Sequence, residues 1–333
     1  MKKLIAFILA LVMCLALAAC GVSVPSGNTR PNETTGTQTN TQTTDSPQNT
    51  SEVNAPKETA SPEQTKSEYY VGDSLLEGKM KIVYMASGEY IEENSFLQPE
   101  DGNKYIFLKF AFENTSTSSD DSISTFSFEA YADGYAADQY YGGDDGLSAT
   151  LSAGRATTGC VYFEVPADAE KVEIEYEPDI LSKKKIKFIY EGEKDSGYVL
   201  ELNAAPTAGA YSVGDVVESS TLKITYISSS EFISDNMFIQ PKEGYRFISC
   251  EFEFENLGTN DEFISYFDFD CYADGINCEG NYFQEDALSA TLSAGRKTKG
   301  NVSFEVPVDA KVIEVEYLSN FWTSNRVVFS VEN

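Results

Sequence analysis

The chain has 333 residues, 41% of them hydrophobic, which is enough for two domains with ordinary cores and excludes a wholly disordered protein. Lys and Arg number 24 against 53 Asp and Glu, a net charge of -29, so a nucleic-acid backbone or an anionic lipid surface would repel it. Histidine is absent from the chain, which removes Ser-His-Asp and Cys-His nucleophiles, imidazole general bases and every histidine-containing metal site.

The first predicted element is a leader. Lys2 and Lys3 precede an apolar run from Leu4 to Ala19, which is short for a membrane span and charged at its start, as secretory signals are. The run closes on Leu17-Ala18-Ala19-Cys20-Gly21, which resembles the bacterial lipobox. That resemblance implies a signal peptide over 1–19, cleavage before Cys20 and a diacylglycerol on the Cys20 thiol. Each buried lipid methylene contributes about 0.8 kcal/mol, so a two-chain anchor holds where one short chain would not. Residues 20–67 are dominated by Thr, Ser, Asn, Gln and Pro, have little to bury, and are predicted to form a disordered tether. About 45 flexible residues reach roughly 35–40 Å on average, enough to hold a globular part clear of a membrane. The expected location is the extracytoplasmic face of a bacterial cell membrane.

Beyond the tether the chain repeats itself. Phe96-Leu97-Gln98-Pro99 answers Phe238-Ile239-Gln240-Pro241, and Phe112-Glu113-Asn114 answers Phe254-Glu255-Asn256, both at an offset of 142. Tyr131-Ala132-Asp133-Gly134 answers Tyr272-Ala273-Asp274-Gly275 at an offset of 141, and LSATLSAGR stands letter for letter at Leu147–Arg155 and Leu288–Arg296. So long a period means tandem domains: 68–191 and 211–333, joined by a linker over 192–210. Within each copy the hydrophobic period is two. Met80, Ile82 and Tyr84 alternate with other residues, as do Ile106, Leu108, Phe110 and Phe112; then Phe126, Phe128 and Ala130. Val161, Phe163 and Val165 follow, then Val172, Ile174 and Tyr176, and last Ile186, Phe188 and Tyr190. Short strands with one buried face, separated by turn signals and without a helical period, predict an all-β chain of two tandem antiparallel β-sandwiches.

The opening Tyr69-Tyr70-Val71-Gly72-Asp73, the strand ending Phe112-Glu113-Asn114, the Asp133-Gly134 turn and the late Gly159-Cys160-Val161-Tyr162-Phe163-Glu164-Val165-Pro166 strand resemble the immunoglobulin-like domains of unknown function of bacterial lipoproteins. Their sandwich is similar to that of a secreted mycobacterial antigen. The resemblance implies an extracytoplasmic binding or scaffolding role and brings no catalytic residues. It departs from the family's usual Pro-Gly at Ala153-Gly154 and Ala294-Gly295, where glycine still permits the turn.

Candidate sites follow from residue types and positions. In CYADGINC, a two-residue Asp274-Gly275 turn sets Cys271 opposite Cys278, at a separation that suits a disulfide, where the first copy has Ala130 and Ala137. A bridge and two small buried thiols both fit. Cys250 takes the place of inward Leu108 and reads as a core thiol, whereas Cys160 replaces Asn301 on an outward face. Acidic residues crowd the segment before LSATL: Asp133, Asp138, Asp144 and Asp145, and Asp274, Glu279, Glu285 and Asp286. Calcium and plain solvation both suit them, and their spacing fits no EF-hand loop; otherwise no cofactor is expected. Tyr140, Tyr141, Tyr282 and Phe283 in those loops are candidates for binding sugar rings, or for packing within the protein. Core packing explains the leucines and glycine of LSATLSAGR but not its outward hydroxyls and arginine; a run kept by chance after duplication fits, and so does a face used twice, with Arg155 and Arg296 meeting the acidic loops or a partner.

The expected function is binding without chemistry: a lipid-anchored surface protein presenting two sandwiches to an extracellular protein or an envelope polymer, with no nucleic acid involved. Glycan binding through exposed aromatics is the alternative. A carboxylate-dependent hydrolase would need a concave acidic site, and the acids here alternate outward on strands or crowd loops.

Overall fold

The alternation of the first repeat becomes two facing sheets in the computed structural model, which describes residues 66–332 except 144, 180–182, 203–204, 283, 285 and 321–324. The predicted leader, the lipidated Cys20 and nearly all of the tether lie outside the described residues, as do Asp144, Phe283 and Glu285. In chain order the strands of the first sandwich are β1 (Ser74–Glu77), β2 (Met80–Tyr90), β3 (Asn103–Asn114), β4 (Asp121–Ser124), β5 (Phe128–Ala132) and β6 (Tyr135–Tyr140). Then come β7 (Ser148–Leu151), β8 (Ala156–Pro166), β9 (Val172–Tyr176), β10 (Ile186–Ile189) and β11 (Lys194–Asp195). One sheet has the order β1-β2-β3-β8-β6, with β11 also on the edge of β2; the other runs β6-β5-β9-β10, and all these pairs are antiparallel. β6 belongs to both sheets: Tyr135 to Ala137 pair with β5 and Asp138 to Tyr140 with β8, so it turns the corner of the sandwich. β4 and β7 form a separate ribbon.

The second sandwich repeats this plan with β12 (Val216–Glu218), β13 (Leu222–Phe232), β14 (Tyr245–Asn256), β15 (Glu262–Ser265) and β16 (Phe269–Ala273). It continues with β17 (Ile276–Gly280), β18 (Ser289–Leu292), β19 (Lys297–Pro307), β20 (Ile313–Asn320) and β21 (Asn325–Val331). Its sheets are β12-β13-β14-β19-β17 and β17-β16-β20-β21, with β15 and β18 as the ribbon.

The predicted inward residues make the cores. Phe110 lies 5.1 Å from Tyr84 and 4.8 Å from Phe188, ring centre to ring centre, and Phe252 holds the same position between Tyr226 at 4.9 Å and Phe329 at 4.8 Å. Each such side chain contributes roughly 1.5–3 kcal/mol on burial, so the alternation alone drives the sheets together. The Asp-Gly hairpins place both turn residues at positive φ, 49° and 85° at Asp133 and Gly134, and 50° and 87° at Asp274 and Gly275, as a tight hairpin of this hand requires.

The local chemistry of LSATLSAGR is now visible. Leu147 and Leu288 run so close over Gly159 and Gly300 that a Cβ there would come within 2.8 Å of the leucine Cα. Buried Asn114 and Asn256 hold the following turn: the Asn114 amide donates to the Leu151 carbonyl at 2.9 Å, and the Asn256 amide to that of Leu292 at 2.7 Å. The Asn that ends each Phe-Glu-Asn strand is therefore a clamp on the nonapeptide.

Three expectations differ from the structure. Phe126 does not continue a strand inward: Ser124 accepts the Phe126 amide at 3.2 Å, starting a single 3-10 turn, Thr125–Ser127, that leaves Phe126 77% exposed. Cys160 is not on an open face but buried, because the loop before β7 lies over it and its amide donates to the Asp145 carbonyl. The predicted linker is packed at its start: Ser87 donates to the Gly192 carbonyl at 2.8 Å, β11 joins the sheet, and Leu200 is buried with Val83, Ala111 and Ala156. Ile276 of the second sandwich packs against that same cluster, and the described residues make one compact unit.

Candidate functional site

The joint between the sandwiches is built from the end of the first LSATLSAGR. β8 begins at Ala156, which makes a parallel bridge to Ile276 of β17, and its amide donates to the Gly275 carbonyl at 3.1 Å. That docking carries the preceding Arg155 onto the outer face of β16 and β20. Its guanidinium lies 4.6 Å from the centre of the Tyr272 ring. Nη2 donates to Glu314 Oε2 at 2.6 Å and to Glu316 Oε1 at 2.8 Å, and Nε donates to Glu316 Oε1 at 3.0 Å. The Glu314 and Glu316 side chains are only 1% and 3% exposed. Arg326 on β21 completes the cluster, donating to Asp270 at 2.7 Å and to Asp120 of the first sandwich at 3.2 Å. The Tyr272 hydroxyl donates back to the Thr150 carbonyl at 3.1 Å, and Lys242 bridges Asp145 and Glu279 at 3.1 Å each.

Burial pulls the Arg155 guanidinium down, but Glu316 and Glu314 together hold it above its ordinary range. Arg326 is likewise held high by Asp270 against burial, and burial pushes the Asp270 carboxyl up. Ion pairs in so dry a place add little net stability, because desolvation offsets the attraction, yet losing one member leaves charge uncompensated. The cluster ties Arg155 and Asp120 of the first sandwich to the outer face of the second. Arg296, in the identical second nonapeptide, is exposed.

A second feature lies at the loop end of the first sandwich. Tyr140 stacks on Tyr105 with ring centres 4.0 Å apart, and its hydroxyl donates to Glu92; burial and then that carboxylate push the phenol well above its usual range. Tyr90 meets Tyr162 edge-on at 4.9 Å. Beside them is a cavity of about 140 Å3 walled by Tyr140, Tyr141, Tyr162, Thr125 and Ser148, with Gly143 and Gly146 on its rim. A Cβ at Gly143 would run into the Tyr162 ring. The corresponding cavity of the second sandwich is only about 10 Å3. There Gln284 replaces Gly143 and donates to Ser249 at 2.8 Å, and Asn281 replaces Tyr140.

Strand register sets which aromatics correspond between the copies. Asp138 faces Glu164 as Glu279 faces Glu305, so Tyr141 corresponds to Tyr282, and Tyr140 has no aromatic counterpart. Tyr282 is half exposed, its ring centre 5.4 Å from Tyr266 and 5.3 Å from Phe267. Cys271 and Cys278 stand opposite each other in register and are thiols in this structure. Burial, then the hydrogen bond with Cys278, pushes the Cys271 thiol up; burial pushes Cys160 to about 11 and Cys250, under the Tyr226 hydroxyl, to about 12. Asp133 and Asp274 accept backbone amides of Lys171 and Val312 at 2.9 Å, which gives these two acids a structural role at the turns. Among the described residues, no group of three or more Cys, Asp or Glu side chains is arranged to hold a metal ion.

Glu314, Glu316, Asp270 and Arg326 were not singled out by the sequence, because Glu-x-Glu with outward acids occurs in both copies, at Glu173-Ile174-Glu175 and Glu314-Val315-Glu316. The signal that could have found them is the change of outward Lys171 and Lys187 to Val312 and Val328, which marks a covered face.

Fold and joint together define a paired β-sandwich protein. The chain belongs to the family described as Domain of unknown function (DUF4352), which matches residues 69–186 and 211–327. Among curated proteins, nothing matches the chain. Among solved structures it is similar to ycdA, a candidate lipoprotein of Bacillus subtilis, at 14% identity and a TM-score of 0.31, over 35% of this chain and 38% of that one. The yjhA protein of Bacillus subtilis is similar at 14% identity and a TM-score of 0.30, over 37% and 99% of the two chains. The secreted Mycobacterium tuberculosis protein MPT63 is similar at 12% identity and a TM-score of 0.28, over 37% and 99%.

Proposed function

We propose that this chain is a lipid-anchored, extracytoplasmic binding protein that performs no catalysis and offers the tyrosine-walled cavity of its first sandwich to a sugar ring of an envelope polymer. The single observation behind this reading is the open cavity of about 140 Å3 in one sandwich, against the filled one in the other. Its volume and walls suit one ring: tyrosine faces for stacking, and the Thr125 and Ser148 hydroxyls for hydrogen bonds. Tyr141 and Phe126 extend the aromatic surface outward, 63% and 77% exposed with ring centres 5.5 Å apart. The buried joint and the Lys242 to Asp145 contact brace the loop that carries Gly143 and Gly146. Anchoring rests on the leader and Cys20, and the tether supplies reach.

Titrating residues 21–333 with a panel of envelope-derived oligosaccharides by calorimetry tests the reading. Binding that falls at least tenfold in Tyr141→Ala, with Tyr282→Ala unchanged, is expected. Absence of binding across the panel, or equal loss from both substitutions, would exclude the cavity as the site.

A further inference from the structure

The joint uses each half of a directional contact once, and the chain carries both halves again, unused. The donor half in the first sandwich is Arg155 with Asp120, and in the second sandwich Arg296 and Asp261 occupy the same positions. The acceptor half in the second sandwich is Tyr272, Glu314, Glu316, Asp270 and Arg326. Strand register assigns its counterpart in the first sandwich without ambiguity. Tyr131 faces Glu173 and Glu129 faces Glu175, as Tyr272 faces Glu314 and Asp270 faces Glu316. Lys185 takes the place of Arg326, and it pairs with Glu129 and Glu175 at 2.9 Å each, just as Arg326 pairs with Asp270 and Glu316. The charges of the Arg155 and Arg326 cluster thus recur with their signs preserved, whereas Lys242, which bridges Asp145 and Glu279 across the joint, has Glu100 as its counterpart in the first sandwich.

We infer that a second copy of this chain docks head to tail, the Arg296 turn of one copy seating on the Tyr131, Glu173 and Glu175 face of the next. Within one chain this contact is not made, since Arg296 faces solvent. A contact between unlike surfaces repeats from copy to copy, giving a row, or a ring where the rotation closes, and a tether to a common membrane would permit either. The difference between the used and unused acceptor sets its strength. Lys171 and Lys187 bond to Glu173 at 3.1 and 2.7 Å, where the used face has Val312 and Val328. Exposed lysine pairs are weak and exchange readily, so they compete with an arriving arginine without blocking it. Lys297 and Lys299 stand beside Arg296 in place of Ala156 and Thr158, and they pair with Glu253, Glu255 and Glu251 on the same edge.

The test is sedimentation equilibrium of residues 21–333 with Lys171 and Lys187 replaced by valine, the residues of the used face. K171V/K187V is expected to self-associate at least tenfold more tightly than the unaltered chain, and adding Arg296→Ala is expected to weaken that association at least tenfold. A double variant that stays monomeric to millimolar concentration, or one that associates regardless of Arg296, overturns the inference. Should the valines disturb folding, zero-length carboxyl–amine cross-linking of the unaltered chain, mixed in two isotopic forms, reads the same contact. Links between Lys297 of one copy and Glu173 or Glu175 of another are expected; intercopy links that omit these residues, or no intercopy links at all, overturn it.

Discussion

Arg155 and Arg296 follow the same eight residues and leave the same glycine turn, yet the first is buried against two glutamates and a tyrosine ring and the second faces solvent. The turn that presents them is built identically: Asn114 and Asn256 clamp it, and Gly154 and Gly295 take it through φ of 77° and 70°. The difference lies wholly in what each turn meets. Duplication supplied two copies of one presenting device, and the chain order brings an acceptor face to one of them only. The second sandwich's outer face has adapted to being covered, with Val312 and Val328 where the first keeps lysines.

The largest effect should come from removing the buried arginine. Arg155→Ala leaves Glu314 and Glu316 buried without their main cation, which costs about 3–5 kcal/mol and is a large part of a domain's stability. Urea denaturation should show the loss, and scattering should show the two sandwiches separating. An unchanged midpoint and an unchanged distance distribution would mean that the apolar contact of Ala156, Leu200 and Ile276 holds the joint alone.

Alkaline pH should act on the second core through its buried Cys250 thiol. Cys250 occupies the place of Leu108, and burial raises its folded pKa from 9.0 to about 12. The folded state therefore favours the neutral thiol. Its contribution is fully present below pH 9 and is lost as pH rises from 9 through 12, because the unfolded chain ionises first. Three pH units correspond to roughly 4 kcal/mol. Cys250→Ala leaves a small cavity, which lowers stability modestly at pH 7, but its unfolding free energy should fall less steeply between pH 9 and 12 than that of the unaltered chain. Equal slopes would show that the buried tyrosines govern the alkaline limit instead.

Much of this architecture is legible in the sequence. The period of two, the Asp-Gly turns and the 141- and 142-residue offsets specify strands, hairpins and tandem sandwiches, because each reports a local rule of backbone geometry. The facing of Cys271 and Cys278 follows from the same rule. What is not legible depends on parts of the chain that are far apart. Glu314 and Glu316 meet Arg155 across about 160 positions, and nothing in Glu-x-Glu says whether a face is covered. Cys160 alternates as an outward residue should, yet the Asp145 loop lies over it. Phe126 sits where the alternation would place a strand, and one Ser124 hydroxyl diverts the backbone. The tyrosine cavity is hidden in the sequence for a related reason: its opening depends on Gly143 beside Tyr162, against Gln284 beside Ser303, a pairing that only the folded register reveals.

The hairpin thiols give a smaller contrast between the copies. A Cys271–Cys278 bridge formed under mild oxidation closes a loop of about eight residues, for which chain entropy gives roughly 2.5 kcal/mol, less any strain. Oxidised and reduced protein should differ in the melting of the second sandwich only, since Ala130 and Ala137 stand at these positions in the first. Peptide mass after thiol alkylation checks that the bridge is the one formed. Free thiols at both positions after oxidation would leave the pair as neighbours without a bond.

The smallest effect on stability should come from the second arginine, and it is the sharpest use of the comparison. Arg296→Ala removes an exposed side chain that touches no buried acid, so the midpoint of dilute, monomeric protein should stay within about 0.5 kcal/mol of the original. A null result there, beside a large loss for Arg155→Ala, shows that the nonapeptide itself does not need its arginine in order to fold. The arginine is then kept for what it meets. In the first copy that is the face of β16 and β20. In the second it faces solvent and the proposed partner is a second copy, which ties a stability measurement in dilute solution to the association measured at high concentration.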